Sequence, residues 1–179
     1  VWGIDIDPVA VNLARINLML MFPQRDGCPN VFCSDSLMDY NELLLFNNMN
    51  ALPEFDVIAT NPPWGSHYKK DELARLLYYY PEVTSGESFS CFLVKSMRML
   101  KEKGCLSFVL PESVLNVKMH GDIRRFLLNN GSIARIEHRR RLFKNVFSPA
   151  VILDINKKQE GGNIEIINRN ESYAVNPDR

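Results

Sequence analysis

The chain has 179 residues, 46% of them hydrophobic and 23% charged, which is ordinary for a soluble globular protein and long enough to bury a core. Lysine plus arginine equals aspartate plus glutamate at 21 each, so net charge singles out no polyanionic partner. The cysteines Cys28, Cys33, Cys91 and Cys105 lack C-x-x-C spacing and stand apart from His67, His120 and His138, so we read no metal site and no disulfide framework, as fits a reducing cytoplasm.

In chain order, Val1-Trp2-Gly3-Ile4 reads as a buried strand ending at Asp5. A helix follows, with Asp7 as N-cap and Pro8 at its first position. Val9, Leu13, Ile16 and Leu20 share one apolar face of it, and Pro23 ends it. Asn30–Cys33 is a second strand running into Ser34-Asp35-Ser36, and Phe55–Thr60 a third, stopped by prolines. Residues 37–53 fit no single pattern. Residues 65–86 read as a long connection with a helix around Asp71–Tyr80.

Next comes a strong helix on which Phe89, Leu93, Ser96 and Leu100 share a face, with Gly104 as its stop. Cys105–Leu110 is a fourth strand, and residues 120–129 form another helix, closed by Asn130-Gly131. Ile133–Glu137, Ala150–Ile155 and Ile164–Ile167 read as strands. Strands alternating with helices predict a parallel sheet of βαβ units. The short links between the last strands predict an antiparallel edge. One domain is visible, with no repeat, no signal peptide and no membrane-length apolar run.

In open α/β sheets, ligands lie at the carboxyl ends of the strands. Those ends carry Asp5, Asp35, Asn61 and Pro111-Glu112. At the third, Asn61-Pro62-Pro63-Trp64 combines a side-chain carbonyl, a proline carbonyl with no N–H beside it, and an indole face. Two acceptors beside a flat ring describe a clamp for a planar heterocycle bearing an NH₂ group, such as adenine. Asp5 is placed to accept from both hydroxyls of a ribose; the alternative is that it caps the helix together with Asp7. Asp35 either accepts from an exocyclic adenine amine or closes an Asx turn. Arg135, Arg139, Arg140, Arg141 and Lys144, with His138 among them, form a basic cluster that reads either as phosphate contacts or as solvated surface.

Gly3-Ile4-Asp5-Ile6-Asp7-Pro8, Ser34-Asp35-Ser36 and Asn61-Pro62-Pro63-Trp64 come in an order that resembles the amino-group DNA methyltransferases. More closely they look like the N6-adenine enzymes of restriction–modification systems, the TaqI-like and type I modification-subunit group. The resemblance runs on through Phe89–Ser113 to Leu142-Phe143-Lys144-Asn145-Val146 and the strand after it. It implies a Rossmann-like class I fold with S-adenosylmethionine as cofactor. Asp5 would hold the ribose, Ile6 would pack on the cofactor's adenine, and Asp35, with Ser36 beside it, would meet that adenine's amine. Asn61 and Pro62 would bind the amine of a target adenine flipped out of double-stranded DNA, and Trp64 would stack on the base. A second aromatic is expected on the opposite face of that base: Phe143 fits by its spacing to Ala150, with Phe147 the alternative and core packing the plain reading of either. Other domains or subunits of a restriction–modification complex are further expected partners.

The family's Gly-rich loop, and the strand before it, have no counterpart among the nine glycines here. No target-recognition domain is expected within these residues. It is therefore expected to be a partial catalytic domain that alone binds the cofactor weakly and turns over little. Two rivals stay open. Methyltransferases of the same fold acting on ribosomal RNA or on protein glutamine carry a similar loop. A degenerate, non-catalytic domain that binds nucleic acid or a partner would also lack the glycines.

Overall fold

The computed structural model describes residues 1–23, 27, 29–38, 53–65, 68–139, 148–158, 162–168 and 171–176. They fall into two compact units, Val1–Leu52 and Pro53–Arg179. Residues 39–52 of the ambiguous stretch 37–53, Cys28, His67 and the segment 140–147 lie outside the described residues.

The first unit pairs β1 (Trp2–Asp5) in parallel with β2 (Asn30–Cys33), joined by α1 (Pro8–Met21). The predicted cap is present: the Asp7 side chain accepts from the Val9 N–H at 2.8 Å, and Pro8 opens the helix. Val11 and Val31 are buried between helix and strands. The apolar stripe read from the sequence faces the other way, with Val9 63%, Leu13 56%, Ile16 53% and Leu20 73% exposed. Two strands are too narrow to cover a full helical face, so α1 buries only its Val11 side against them.

The second unit is a six-stranded sheet. Its strands are β3 (Phe55–Thr60), β4 (Leu100–Pro111), β5 (Gly131–Arg139), β6 (Ala150–Lys157), β7 (Ile164–Asn168) and β8 (Glu171–Val175). The spatial order is β3-β4-β6-β5-β7-β8. β6 runs antiparallel to both β4 and β5, and β8 forms the antiparallel edge. Between them in sequence lie α2 (Lys70–Tyr79), α3 (Ser88–Met99), the short α4 (Ser113–Asn116) and α5 (Gly121–Asn130). α3 packs on β4 and α5, and α5 packs on β5. Leu106, Phe108 and Leu110 alternate along β4 and are fully buried, as are Leu93 and Val94 of α3 and Ile123 of α5. A buried side chain of the size of Phe108 contributes about 2–3 kcal/mol by leaving water.

α3 ends at Met99 rather than at Gly104, which lies within β4. A Cβ on Gly104 would meet Leu100 Cγ at 2.8 Å and the Asp56 carbonyl at 3.0 Å, so close approach, not a helix stop, requires glycine there. Gly131 is likewise held by the Asn156 carbonyl, 2.6 Å from where a Cβ would stand.

The connection before α3 is fastened by Asp122 of α5. Its Oδ2 accepts from Thr84 N (2.6 Å), Thr84 Oγ1 (2.8 Å) and Ser85 N (3.2 Å), and its Oδ1 accepts from Ile123 N (2.7 Å). Burial pushes the carboxyl up, but the bonds from Thr84, Ile123 and Ser85 outweigh it and hold it below the usual range. A depressed folded-state value means stability that is present above the ordinary carboxylate range and lost as pH falls through the lowered value. Asp122→Asn is therefore expected to destabilise the fold by about 1 kcal/mol at neutral pH. Urea melts at neutral pH and in strong acid check this, since the gap to wild type should close in acid.

Candidate active site

In the first unit, β1 and β2 are adjacent and parallel, with Asp5 paired to Cys33. The Asp5 carbonyl accepts from the Ser34 N–H at 3.0 Å, which ties the two strand ends together. The expected cofactor residues Asp5, Ile6, Asp35 and Ser36 thus follow neighbouring strand ends. The Asp5 side chain is exposed and its Oδ1 accepts from the Asp7 N–H at 2.9 Å. That bond fixes the carboxylate by one oxygen and leaves the other edge of the group toward solvent. Ile6 beside it is 68% exposed. Asp35 does close an Asx turn: its Oδ1 accepts from Leu37 N (2.9 Å) and Met38 N (3.2 Å). The turn is made through one oxygen and is compatible with either reading of Asp35.

In the second unit, β3 and β4 are parallel, and β6 is antiparallel to both β4 and β5. The carboxyl ends of β3, β4 and β5 therefore share one sheet edge, which carries Asn61, Glu112 and Arg139. β3 leaves the sheet after Thr60, whose partner is Phe108. Neither proline can continue the ladder, because neither has an N–H. The Trp64 indole supplies a donor instead: Nε1 reaches the Val109 carbonyl at 3.3 Å. Asn61 is exposed, Pro62 buried and Trp64 half-buried. Among the described residues the Asn61 amide takes no hydrogen bond. The loop thus presents the Asn61 side chain to solvent and ties the indole by its edge.

Sequence reasoning missed what holds this loop from below. Ser88, at the start of α3 and fully buried, donates from Oγ to the Pro63 carbonyl at 2.6 Å. No motif flags it; a serine opening a helix reads simply as a capping residue. At the same edge Glu112 lies 3.6 Å from His138 Nδ1, and its N–H donates to the Pro149 carbonyl at 2.9 Å. The basic cluster is partly spoken for. Arg135 Nε donates to Asp154 Oδ2 at 2.7 Å, Arg135 also meets Glu137, and Arg139 pairs with Glu137. The Asp154 bond raises the Arg135 value further, so its guanidinium stays charged. Phe143, Phe147, Arg140, Arg141 and Lys144 lie outside the described residues.

A crystal structure of a modification subunit of a putative type I restriction enzyme from Vibrio vulnificus YJ016 superposes with a TM-score of 0.72 at 22% identity, covering 95% of this chain and 36% of that one. A putative class I S-adenosylmethionine-dependent methyltransferase from Listeria monocytogenes superposes with a TM-score of 0.66 at 19% identity, over 92% of this chain and 48% of that one. The fold is that of class I S-adenosylmethionine-dependent methyltransferases, and S-adenosylmethionine is the cofactor that goes with it. Residues 1–144 match the model of the Eco57I restriction-modification methylase family, and the chain belongs to that family. The type II methyltransferase M.VspI of Vibrio sp. (strain 343) is 27% identical over 137 residues, which are 76% of this chain and 31% of that protein. The chain spans less than a third of the length of the curated relatives it matches.

The residues present fit the nucleoside end of the cofactor. An exposed carboxylate already oriented by one bond suits a ribose diol, and an exposed Ile6 suits a purine face. Among the described residues the glycines build no G-x-G turn after a strand.

Proposed function

We propose that the chain is part of the catalytic domain of a DNA methyltransferase that moves a methyl group from S-adenosylmethionine to the N6 amine of adenine. The observation that carries this reading is the exposed Asn61 amide at the end of β3, on a loop whose prolines offer carbonyls without donors. The cofactor supplies an already activated methyl group, so no metal or covalent nucleophile is called for.

The chain's task is then electrostatic and positional. An adenine amine is a weak nucleophile because its lone pair is delocalised into the ring. Asn61 Oδ1 and the Pro62 carbonyl, accepting from its two N–H groups, favour a pyramidal, electron-rich nitrogen and stabilise the positive charge that develops on it. A base inside a duplex cannot reach such acceptors, so the adenine must leave the stack, and Trp64 offers it a ring to lie on. Phe143 is the proposed second ring. Asp5, with Ile6, Asp35 and Ser36, holds the nucleoside end of the cofactor. Family membership supports DNA as the substrate and other restriction–modification domains or subunits as partners, and a cytoplasmic activity goes with that reading. Among the described residues no helix is long and apolar enough to cross a membrane.

The test uses the full-length protein with labelled S-adenosylmethionine and, in separate arms, duplex DNA, ribosomal RNA and a glutamine-bearing peptide. Nucleoside digestion and mass spectrometry should find N6-methyladenine in the DNA arm. Label on RNA, on peptide or on cytosine would overturn the reading, as would no transfer in any arm.

A further inference from the structure

The Asn61–Trp64 loop cannot anchor itself. Pro62 and Pro63 have no N–H to give, and Gly65, which follows, sits at φ +66 with open space where a Cβ would stand. Bonds to the body of the second unit hold it. Trp64 Nε1 donates to the Val109 carbonyl at 3.3 Å, and Ser88 Oγ donates to the Pro63 carbonyl at 2.6 Å. The second is the shorter and comes from a fully buried side chain.

Resting on the reading above, we propose that Ser88 is a positioning residue for methyl transfer, setting the direction of the amine-binding acceptors through the Pro63 carbonyl. The Pro63 ring locks its own φ. Once Ser88 also fixes the Pro63 carbonyl, the peptide planes on both sides of that residue have little freedom, and one of them carries the Pro62 carbonyl. Ser88 is itself held by the deepest helix of the unit: Cys91, Leu93 and Val94 of α3 are all fully buried. The hydroxyl therefore transmits the rigidity of the core to a proline pair that has no donors of its own. Ser88 touches neither amine nor cofactor in this scheme; it acts through the loop. Reaction rates fall steeply when reacting groups are misplaced, about 100-fold for roughly 1 Å.

The experiment measures steady-state methyl transfer to duplex DNA by the full-length protein and its Ser88→Ala and Ser88→Thr variants, with a thermal melt of each. Ser88→Ala is expected to lower kcat by about tenfold, with KM for cofactor and DNA near wild type, because the loop is loosened and not removed. Ser88→Thr keeps the hydroxyl and should restore most of kcat. Should the alanine variant fail to fold, Ser88→Cys, which keeps the volume and gives up the strong donor, is read against Ser88→Thr in its place. A wild-type kcat without the hydroxyl, a loss carried by KM, or a loss that threonine does not restore would overturn the proposal. A wild-type protein that methylates no adenine would overturn the underlying reading instead.

Discussion

Asn61→Ala is expected to slow methyl transfer by a factor on the order of 100 to 1,000 while leaving cofactor affinity unchanged. Asn61 is one of only two acceptors proposed for the amine, and the other, a backbone carbonyl, cannot be mutated away. Removing a preorganised polar group aimed at developing charge costs roughly 3–4 kcal/mol in barrier, far more than an exposed hydrogen bond contributes to folding. Stability should hardly move, because Asn61 is exposed and its amide takes no hydrogen bond among the described residues. Asn61→Asp keeps an acceptor at the same place and should lose less than alanine does. Single-turnover incorporation of labelled methyl at saturating cofactor separates chemistry from binding. Alanine at the wild-type rate would remove the loop from the reaction.

The elements around the site were the most legible parts of the sequence. Apolar runs that end at an acid or at a proline pair have few alternatives, and β2 and β3 appear with the bounds read for them. Partner choice was less legible. The links around β6 suggest antiparallel pairing, but only packing decides that β6 inserts between β4 and β5. The α1 stripe shows which residues are apolar, not what covers them, and the helix turns Val11 to the strands instead. β8, with every residue exposed, has no alternation to detect.

Charge was misleading for a similar reason. Arg135 and Arg139 look like free cations in a linear cluster. In a strand, however, residues two apart share a face, so Glu137 stands between them, and the register brings Asp154 opposite Arg135. The carboxylates that neutralise them are as plain in the sequence as the arginines; the pairing that joins them is not. Ser88 escaped notice because its partner is a carbonyl 25 positions upstream.

Asp5→Asn is expected to weaken S-adenosylmethionine binding to the full-length protein by on the order of 100-fold, or about 3 kcal/mol. The substitution separates the two readings of this residue. As a turn residue, Asp5 gives one oxygen to the Asp7 N–H at 2.9 Å, and an asparagine carbonyl can keep that bond. If that were its whole role, binding and stability would both survive. As a ribose ligand it uses its charge and its second oxygen, and asparagine replaces that oxygen with a donor facing another donor. Hydrogen bonds to a charged acceptor contribute more than neutral ones, so the loss should fall on affinity. The melting temperature should stay near wild type, since Asp5 is exposed and the N-cap of α1 belongs to Asp7. Calorimetric titration of cofactor into both proteins gives the answer directly. Equal affinities would reduce Asp5 to a turn residue and leave the first unit without its proposed hold on the ribose.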